Sequence, residues 1–489
     1  MKNRLTKTAY LNYLRCPQEF WLDHNEPLLS AREPITLEHE HLRQQGYAVE
    51  QYVKQLARFQ PGEGIAVDFQ RTFQTAELEA RSDVVVTDKV TGETDIYEIK
   101  SAASVKDEHL DDVTFQRVVA TRSGSLIRRA HVITLNGEYI RTGDIDVEQL
   151  FIITDVTETI AGRMAATAEQ IKSAFNYLDS IPVPSLVDYC VDKKLDCRFI
   201  QLHFPDLPDY TVFDISFLKH DKRRELLATG IVDIKDVPDD FKLSAKQQLQ
   251  VQVAKTREIV IDRDEIANRF DSWAYPLHFL DYETFAYAIP QFEGVKPFQQ
   301  MCFQYSLHTI DRFGAELRHT EYLSRGDDRP PRVVANHLRE AMSGSIGTVF
   351  VWYEAFEKGR NQEMADMFPD LADFFTEVNE KTYDLMKIFS ENLYIHPDFK
   401  GKTSIKKVLP VLVPSLRYDG LGISEGLSAT IKWFRAATWS SLSEAERVQI
   451  FDDLIEYCKL DTLAMVEIFK VLAALKDVNL FDFATSTTM

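Results

Sequence analysis

The chain has 489 residues, 45 % of them apolar and 27 % charged, which allows two to four domains and excludes a disordered, collagen-like or coiled-coil protein. No run of about 18 apolar residues marks a membrane span. The formal charge of −20 argues against sequence-blind nucleic-acid binding through a basic face, but clustered carboxylates that hold divalent cations reverse the local sign.

The N-terminus lacks the apolar core of a secretory signal, and five cysteines in so long a chain make no disulfide framework. The expected setting is the reduced cytoplasm. The expected fold is multidomain α/β: a first domain over 1–205, a helical connector over 206–270 and a second α/β domain over 271–489.

The first domain opens with a helix predicted over 6–22. β-rich runs follow at 65–69, 82–87 and 96–100, with 90–94 as a hairpin turn between the last two. Helices are predicted over 110–120 and 158–178. The connector is polar, with breaks at Gly230 and Pro238; its 226–237 stretch resembles a helix-hairpin-helix turn, and a plain connector of short helices is the alternative. In the second domain, strands are predicted at 277–283, 301–308 and 347–353. Helices are predicted at 332–342, 359–367, 371–381 and 445–474.

Three constellations carry chemistry. In the first, Glu98 and Lys100 are two residues apart on one strand and share a sheet face. The hairpin brings Asp83 back toward them. Such a group is costly without a ligand. A divalent cation on Asp83 and Glu98, with Lys100 positioning the attacking water or stabilising the charge that develops on the phosphate, accounts for it; a solvated strand face is the alternative. With Glu50 on an early helix and Gln116 on the next, the order resembles the RecB-type P-D-(D/E)-x-K nucleases of the restriction-endonuclease-like superfamily, including the CRISPR-associated exonucleases. The resemblance implies that Glu50 adds a metal ligand, where RecB nucleases often have His, and that Gln116 contacts the site or the nucleic acid. Ala120 stands where that family often has Tyr.

The second constellation is Cys16, Cys190, Cys197 and His203, at the two ends of the first domain. Thiolates and an imidazole suit zinc or an iron–sulfur cluster; buried apolar cysteines are the alternative. Some RecB-type nucleases hold a four-iron four-sulfur cluster with one early and three late cysteines, and His203 stands where the last of these would be.

In the third, Asp281 and Glu283 end an apolar strand on one face, a buried like-charged pair that calls for a cation. Glu357, Asp384 and Asp461 follow, with Tyr457 one helical turn before Asp461. Taken singly, Glu357 reads as a helix N-terminal acid, Asp384 as a cap and Asp461 as a solvated residue. In this order they resemble the DnaQ-like 3′–5′ exonucleases of the ribonuclease H-like fold, whose first motif is Asp-x-Glu and whose last is Tyr-x-x-x-Asp. The middle motif, Asn-x-x-Phe-Asp, is met by Tyr353 and Glu357 in place of Asn and Asp, with Asp384 as a second candidate for its acid. The resemblance implies two Mg²⁺ or Mn²⁺ ions about 4 Å apart, bridged by Asp281 and completed by Glu283 and Asp461, with Tyr457 orienting the water. Lys406 and Lys407 form a basic stretch that reads as a phosphate contact or a solvated turn.

The combination is similar to an uncharacterised bacterial family that joins a RecB-type region to a DnaQ-like domain. It implies a nuclease, with DNA as the first substrate and RNA as the second. No P-loop motif is present, so unwinding would need a helicase on another chain. The alternatives are a non-catalytic nucleic-acid-binding or scaffold protein with decayed sites, and a redox or iron sensor.

Overall fold

The computed structural model describes residues 4–30, 36–182, 186, 200–326, 329–418, 426–438 and 442–475. The chain is mixed α/β, with two compact units: Met1–Tyr189 with Ala286–Gln299, and Cys190–Phe285 with Gln300–Met489. The segment expected to be a separate connector, 206–270, thus lies inside the second unit. Residues 286–299, expected in the second domain, belong with the first: Ala288 and Ile289 share a core there with Val49, Val53 and Tyr97. No helix among the described residues is long and apolar enough to cross a membrane.

The first unit is built on a mixed sheet. Its strands are β1 (Leu5–Thr6), β2 (Ile65–Gln74), β3 (Leu78–Asp88), β4 (Glu93–Ile99), β5 (Leu126–Leu135) and β6 (Phe151–Asp155). They lie in the order β1-β3-β4-β5-β6, with β2 also on β3. The predicted hairpin joins β3 to β4: the Asp88 carboxylate accepts from the amides of Val90 (2.7 Å) and Thr91 (3.0 Å), and Gly92 takes the left-handed conformation, φ 71°, that the turn requires. The helix expected over 6–22 is two helices, Lys7–Arg15 and Pro17–Asn25. Pro17 disfavours a helical Cys16 and suits the first helical position of the next helix. The helix expected over 158–178 likewise divides, into Thr157–Ala161 and Met164–Leu178.

The second unit holds β7 (Val260–Ile261), β8 (Leu277–Phe285), β9 (Met301–Ile310), β10 (Arg318–Leu323), β11 (Thr348–Val351), β12 (Thr382–Asp384) and β13 (Tyr394–Ile395). Five of them form one mixed sheet in the order β10-β9-β8-β11-β12, and β13 pairs with β7. β8 is central, antiparallel to β9 and parallel to β11. Its nine residues are almost continuously buried, as a strand covered on both faces requires. One apolar cluster includes Phe279, Phe350 and Phe469, and another Leu280, Val349 and Phe375. The final helix, Glu444–Ala474, starts at a capping box formed by Ser443 and Glu446. The helix-hairpin-helix resemblance does not hold: helix His220–Ala228 is followed by a short 3-10 turn, Ile234–Asp236.

Gly347 precedes β11 where no side chain fits. A Cβ there would lie 2.6 Å from the Tyr275 carbonyl carbon and closer still to the carbonyl oxygens of Ala274 and Pro276. Gly347→Ala is expected to cost about 1–3 kcal/mol, the usual range for overpacking, measured as a fall in the denaturation midpoint at unchanged slope.

Candidate metal centre

β8, the final helix and helix Glu354–Met367 bring four carboxylates of the second unit together. Asp281 and Glu283 point to the same face of β8, two residues apart. Asp461 projects from helix Glu444–Ala474, and Glu357 from helix Glu354–Met367. Glu283, Glu357 and Asp461 are buried, whereas Asp281 keeps a partly exposed edge.

All four carboxyls are pushed above the usual range, first by burial. For Asp281 the added cause is Asp461, and for Glu283 it is Asp281 and Asp461. For Glu357 it is Asp281, Glu283 and Asp461. Asp461 is pushed up to about 6, although the Tyr418 hydroxyl and Lys406 act in the opposite direction. Arg360 draws Glu357 down but is itself held in a two-point pair with Glu363, 2.8 Å at each contact. Oε2 of Glu357 is buried with no hydrogen-bond partner among the described residues. An orphaned carboxylate oxygen among three other acids is a costly arrangement, and it suits a bound cation.

Around these acids stands a polar collar. Tyr418 donates to Asp461 Oδ1 at 2.6 Å. Lys406 donates to the Tyr457 hydroxyl at 2.9 Å and lies 5.1 Å from that ring's centroid. The Cys458 thiol donates to Asp281 Oδ2 at 3.6 Å. Oxygen atoms of Asp281 and Glu283 and the Cys458 sulfur all lie within 4.8 Å of one another.

Asp384 does not join the acids. Its carboxylate ends β12 and accepts from the amides of Tyr353 (3.0 Å), Glu354 (3.1 Å) and Met386 (3.0 Å). It therefore fixes the start of the Glu357 helix, where Tyr353 is left-handed at φ 83°, a strained state for a non-glycine residue. Lys406 lies not on a loop but in helix Ile405–Leu412. Tyr418, Cys458 and the inward role of Lys406 escape the motif pattern. Cys458 lies three residues before Asp461, a spacing that puts both on one helix face.

In the first unit, the β3–β4 ladder ends at Val84↔Tyr97, so the next step sets Asp83 opposite Glu98. Asp83 Oδ2 accepts from the Ile99 amide at 2.8 Å. The amide of Gln70, itself left-handed at φ 58°, reaches both Glu50 (3.3 Å) and Asp83 (3.2 Å). Glu98 lies in a separate, tighter network. Its Oε1 is paired with Lys7 and Lys100, each at 2.8 Å, and its Oε2 accepts from Gln116 at 2.6 Å. Asp112 pairs with the same two lysines and accepts from Gln116 at 2.8 Å. Burial alone would lower Lys100, but Glu98 and Asp112 outweigh it and hold the ammonium charged. Two buried acids and two lysines thus neutralise each other. Sequence reading finds Glu98, Lys100 and Gln116 but misses Lys7 and Asp112; the spacing of Asp112 four residues before Gln116 is the available signal.

Cys16 is buried, and its sulfur accepts from the Glu19 amide at 3.5 Å as a helix cap. Cys190, Cys197 and the side chain of His203 lie outside the described residues.

A family model described as a domain of unknown function (DUF2779) matches residues 278–404, a stretch that contains Asp281, Glu283 and Glu357. Uncharacterized protein UU173 of Ureaplasma parvum serovar 3 is 26 % identical over 211 residues, 39 % of this chain and 30 % of that protein. The match thus spans under a third of that relative.

The folded acids keep protons that the unfolded chain releases near pH 4, so metal-free stability falls as pH rises from about 4 through about 6 and beyond. Metal binding needs the ionised acids. Mn²⁺ at a hundredfold excess over its Kd is therefore expected to stabilise the protein by about 2.7 kcal/mol at pH 8 and by less at pH 5. In thermal melts with Mn²⁺ or EDTA, Asp281→Asn should raise the metal-free midpoint and remove the Mn²⁺ shift. Asp384→Ala should lower stability by about 1–2 kcal/mol, the cost of a lost cap, and leave that shift in place.

Proposed function

We propose that the chain is a metal-dependent phosphodiesterase acting on nucleic acid, DNA first and RNA second, with a two-metal 3′–5′ exonuclease centre in the second unit. The observation that carries this reading is Oε2 of Glu357, without a hydrogen-bond partner among the described residues, on a side chain 2 % exposed and among three further acids. The mixed sheet flanked by helices, with Asp281 and Glu283 on its central strand, supports a DnaQ-like, ribonuclease H-like domain.

Asp281, Glu283, Glu357 and Asp461 would hold the cations. Bound Mg²⁺ or Mn²⁺ would neutralise the acids, activate the attacking water and stabilise the departing oxygen. Tyr418 holds one oxygen of Asp461 and so fixes its orientation. Tyr457, with its hydroxyl held by Lys406, would orient a water. Burial holds both phenols well above their usual range, so both stay protonated.

The first unit is proposed as a second, metal–lysine centre of restriction-endonuclease-like type, with Lys100 stabilising charge on the phosphate. Asp83 and Glu50 offer the open donors. At Glu98 a cation has to compete with the Lys7 ammonium. That self-neutralised network also favours a second reading, in which the first unit binds or braces nucleic acid without cutting it. For the Cys16, Cys190, Cys197 and His203 set, a four-iron four-sulfur cluster or Zn²⁺ stays a proposal.

The test uses end-labelled single- and double-stranded DNA and RNA with Mn²⁺ or EDTA. The expected result is Mn²⁺-dependent shortening from the 3′ end. Asp281→Ala or Glu357→Gln should lose it by about 10³-fold or more, the scale of several kcal/mol of transition-state stabilisation. Activity that survives Asp281→Ala but not Lys100→Ala would move the chemistry to the first unit. No cleavage of any substrate by protein that still binds Mn²⁺ would establish the non-catalytic reading.

A further inference from the structure

The acids of the second unit share their site with a sulfur. Cys458 is fully buried on the final helix, and its thiol is turned onto β8, toward both the side chain (3.6 Å) and the backbone carbonyl (3.9 Å) of Asp281. Its sulfur and one oxygen each from Asp281 and Glu283 lie within 4.8 Å of one another, close enough for a single ion to draw all three in. Two other buried thiols have plain structural roles: Cys16 caps a helix, and Cys302 packs in an apolar cluster. Cys458 instead faces Asp281 and lies beside Glu283, and the same acids act on Glu357, whose Oε2 is buried with no hydrogen-bond partner among the described residues. A site made for Mg²⁺ alone would gain nothing from sulfur, since Mg²⁺ takes oxygen ligands in a strict octahedron. Zn²⁺ and Co²⁺ accept a thiolate beside carboxylates in a four-ligand shell.

We propose that Cys458 is a metal ligand and that one cation position of this centre selects a borderline-soft divalent ion of the Zn²⁺ class over Mg²⁺. The inference rests on the metal-binding reading above and adds the sulfur to it. On binding, the S–H bond breaks as the sulfur–metal bond forms, and the proton passes to solvent. Thiol-reactive soft ions such as Cd²⁺ would then compete for the same position.

The test is a Co²⁺ titration of the full chain followed by absorption. A Cys190→Ser/Cys197→Ser background removes the two thiols outside the described residues. The expected result is a near-ultraviolet sulfur-to-cobalt band that saturates with the visible cobalt bands. In Cys458→Ser and in Cys458→Ala that band should vanish. Their Zn²⁺ affinity should drop by at least the roughly 10–100-fold that loss of an outer-sphere partner costs, with Mg²⁺ affinity within about twofold of the parent. Visible cobalt bands without the sulfur band in the parent would overturn the role of Cys458 and leave the carboxylate centre standing. No Co²⁺ bound at all would overturn both. A parent and Cys458→Ser with equal Zn²⁺ affinity would also overturn the proposal.

Discussion

Buried carboxylates need cations, and the two units meet that constraint in opposite ways. In the first, Glu98 and Asp112 are answered by Lys7 and Lys100 within the protein. In the second, Asp281, Glu283 and Asp461 share Lys406, and the cation beside Glu357, Arg360, is committed to Glu363. Mutual repulsion in a dry interior is expensive whenever the acids are ionised. The second unit therefore either keeps protons on these groups or takes cations from solvent. The partly exposed edge of Asp281 gives such ions a way in.

The rest of the second unit reads as a frame that keeps the acids from moving apart. β8 is central in its sheet, so Asp281 and Glu283 sit on the most constrained backbone available. Asp384 collects three amides and locks the strained turn that launches the Glu357 helix. The Tyr418 hydroxyl pins Asp461. Gln304 of β9 donates to the Leu454 carbonyl at 2.9 Å, one more tie between the sheet and the final helix. Relaxation, the ordinary escape from repulsion, is closed off by these ties. That is how a site is preorganised for ligands it must bind in a fixed geometry.

What the sequence made legible was local. The hairpin at 88–94 follows from Asp88 and Gly92, and β8 from an apolar run that ends in two acids. The Cys16–Pro17 break was equally present in the text, but the apolar spacing continues across it and masks the boundary. β10 is a polar edge strand, and β12 has three residues; neither is long or regular enough to show a period. Asp384 sits in the expected order of acids, yet order along a chain does not say whether a carboxylate faces a cavity or a backbone. Lys7 is 91 residues from Glu98 in sequence, and no local spacing can announce such a pair.

On the phosphodiesterase reading, charge fixes the sequence of events at the second unit. A nucleic-acid backbone approaching four ionised acids meets repulsion at short range, on a chain whose net charge is −20. Two divalent cations carry the charge needed to cancel four carboxylates, and any ordered beyond that by phosphate oxygens would make the site attractive. Cations must then enter before the polyanion does, and the polyanion in turn holds them in place. The first unit is free of this order, because its lysines come with the chain. On that reading the two units differ in where their counter-ions come from, the chain itself in the first and the solvent in the second, and not in the acids themselves.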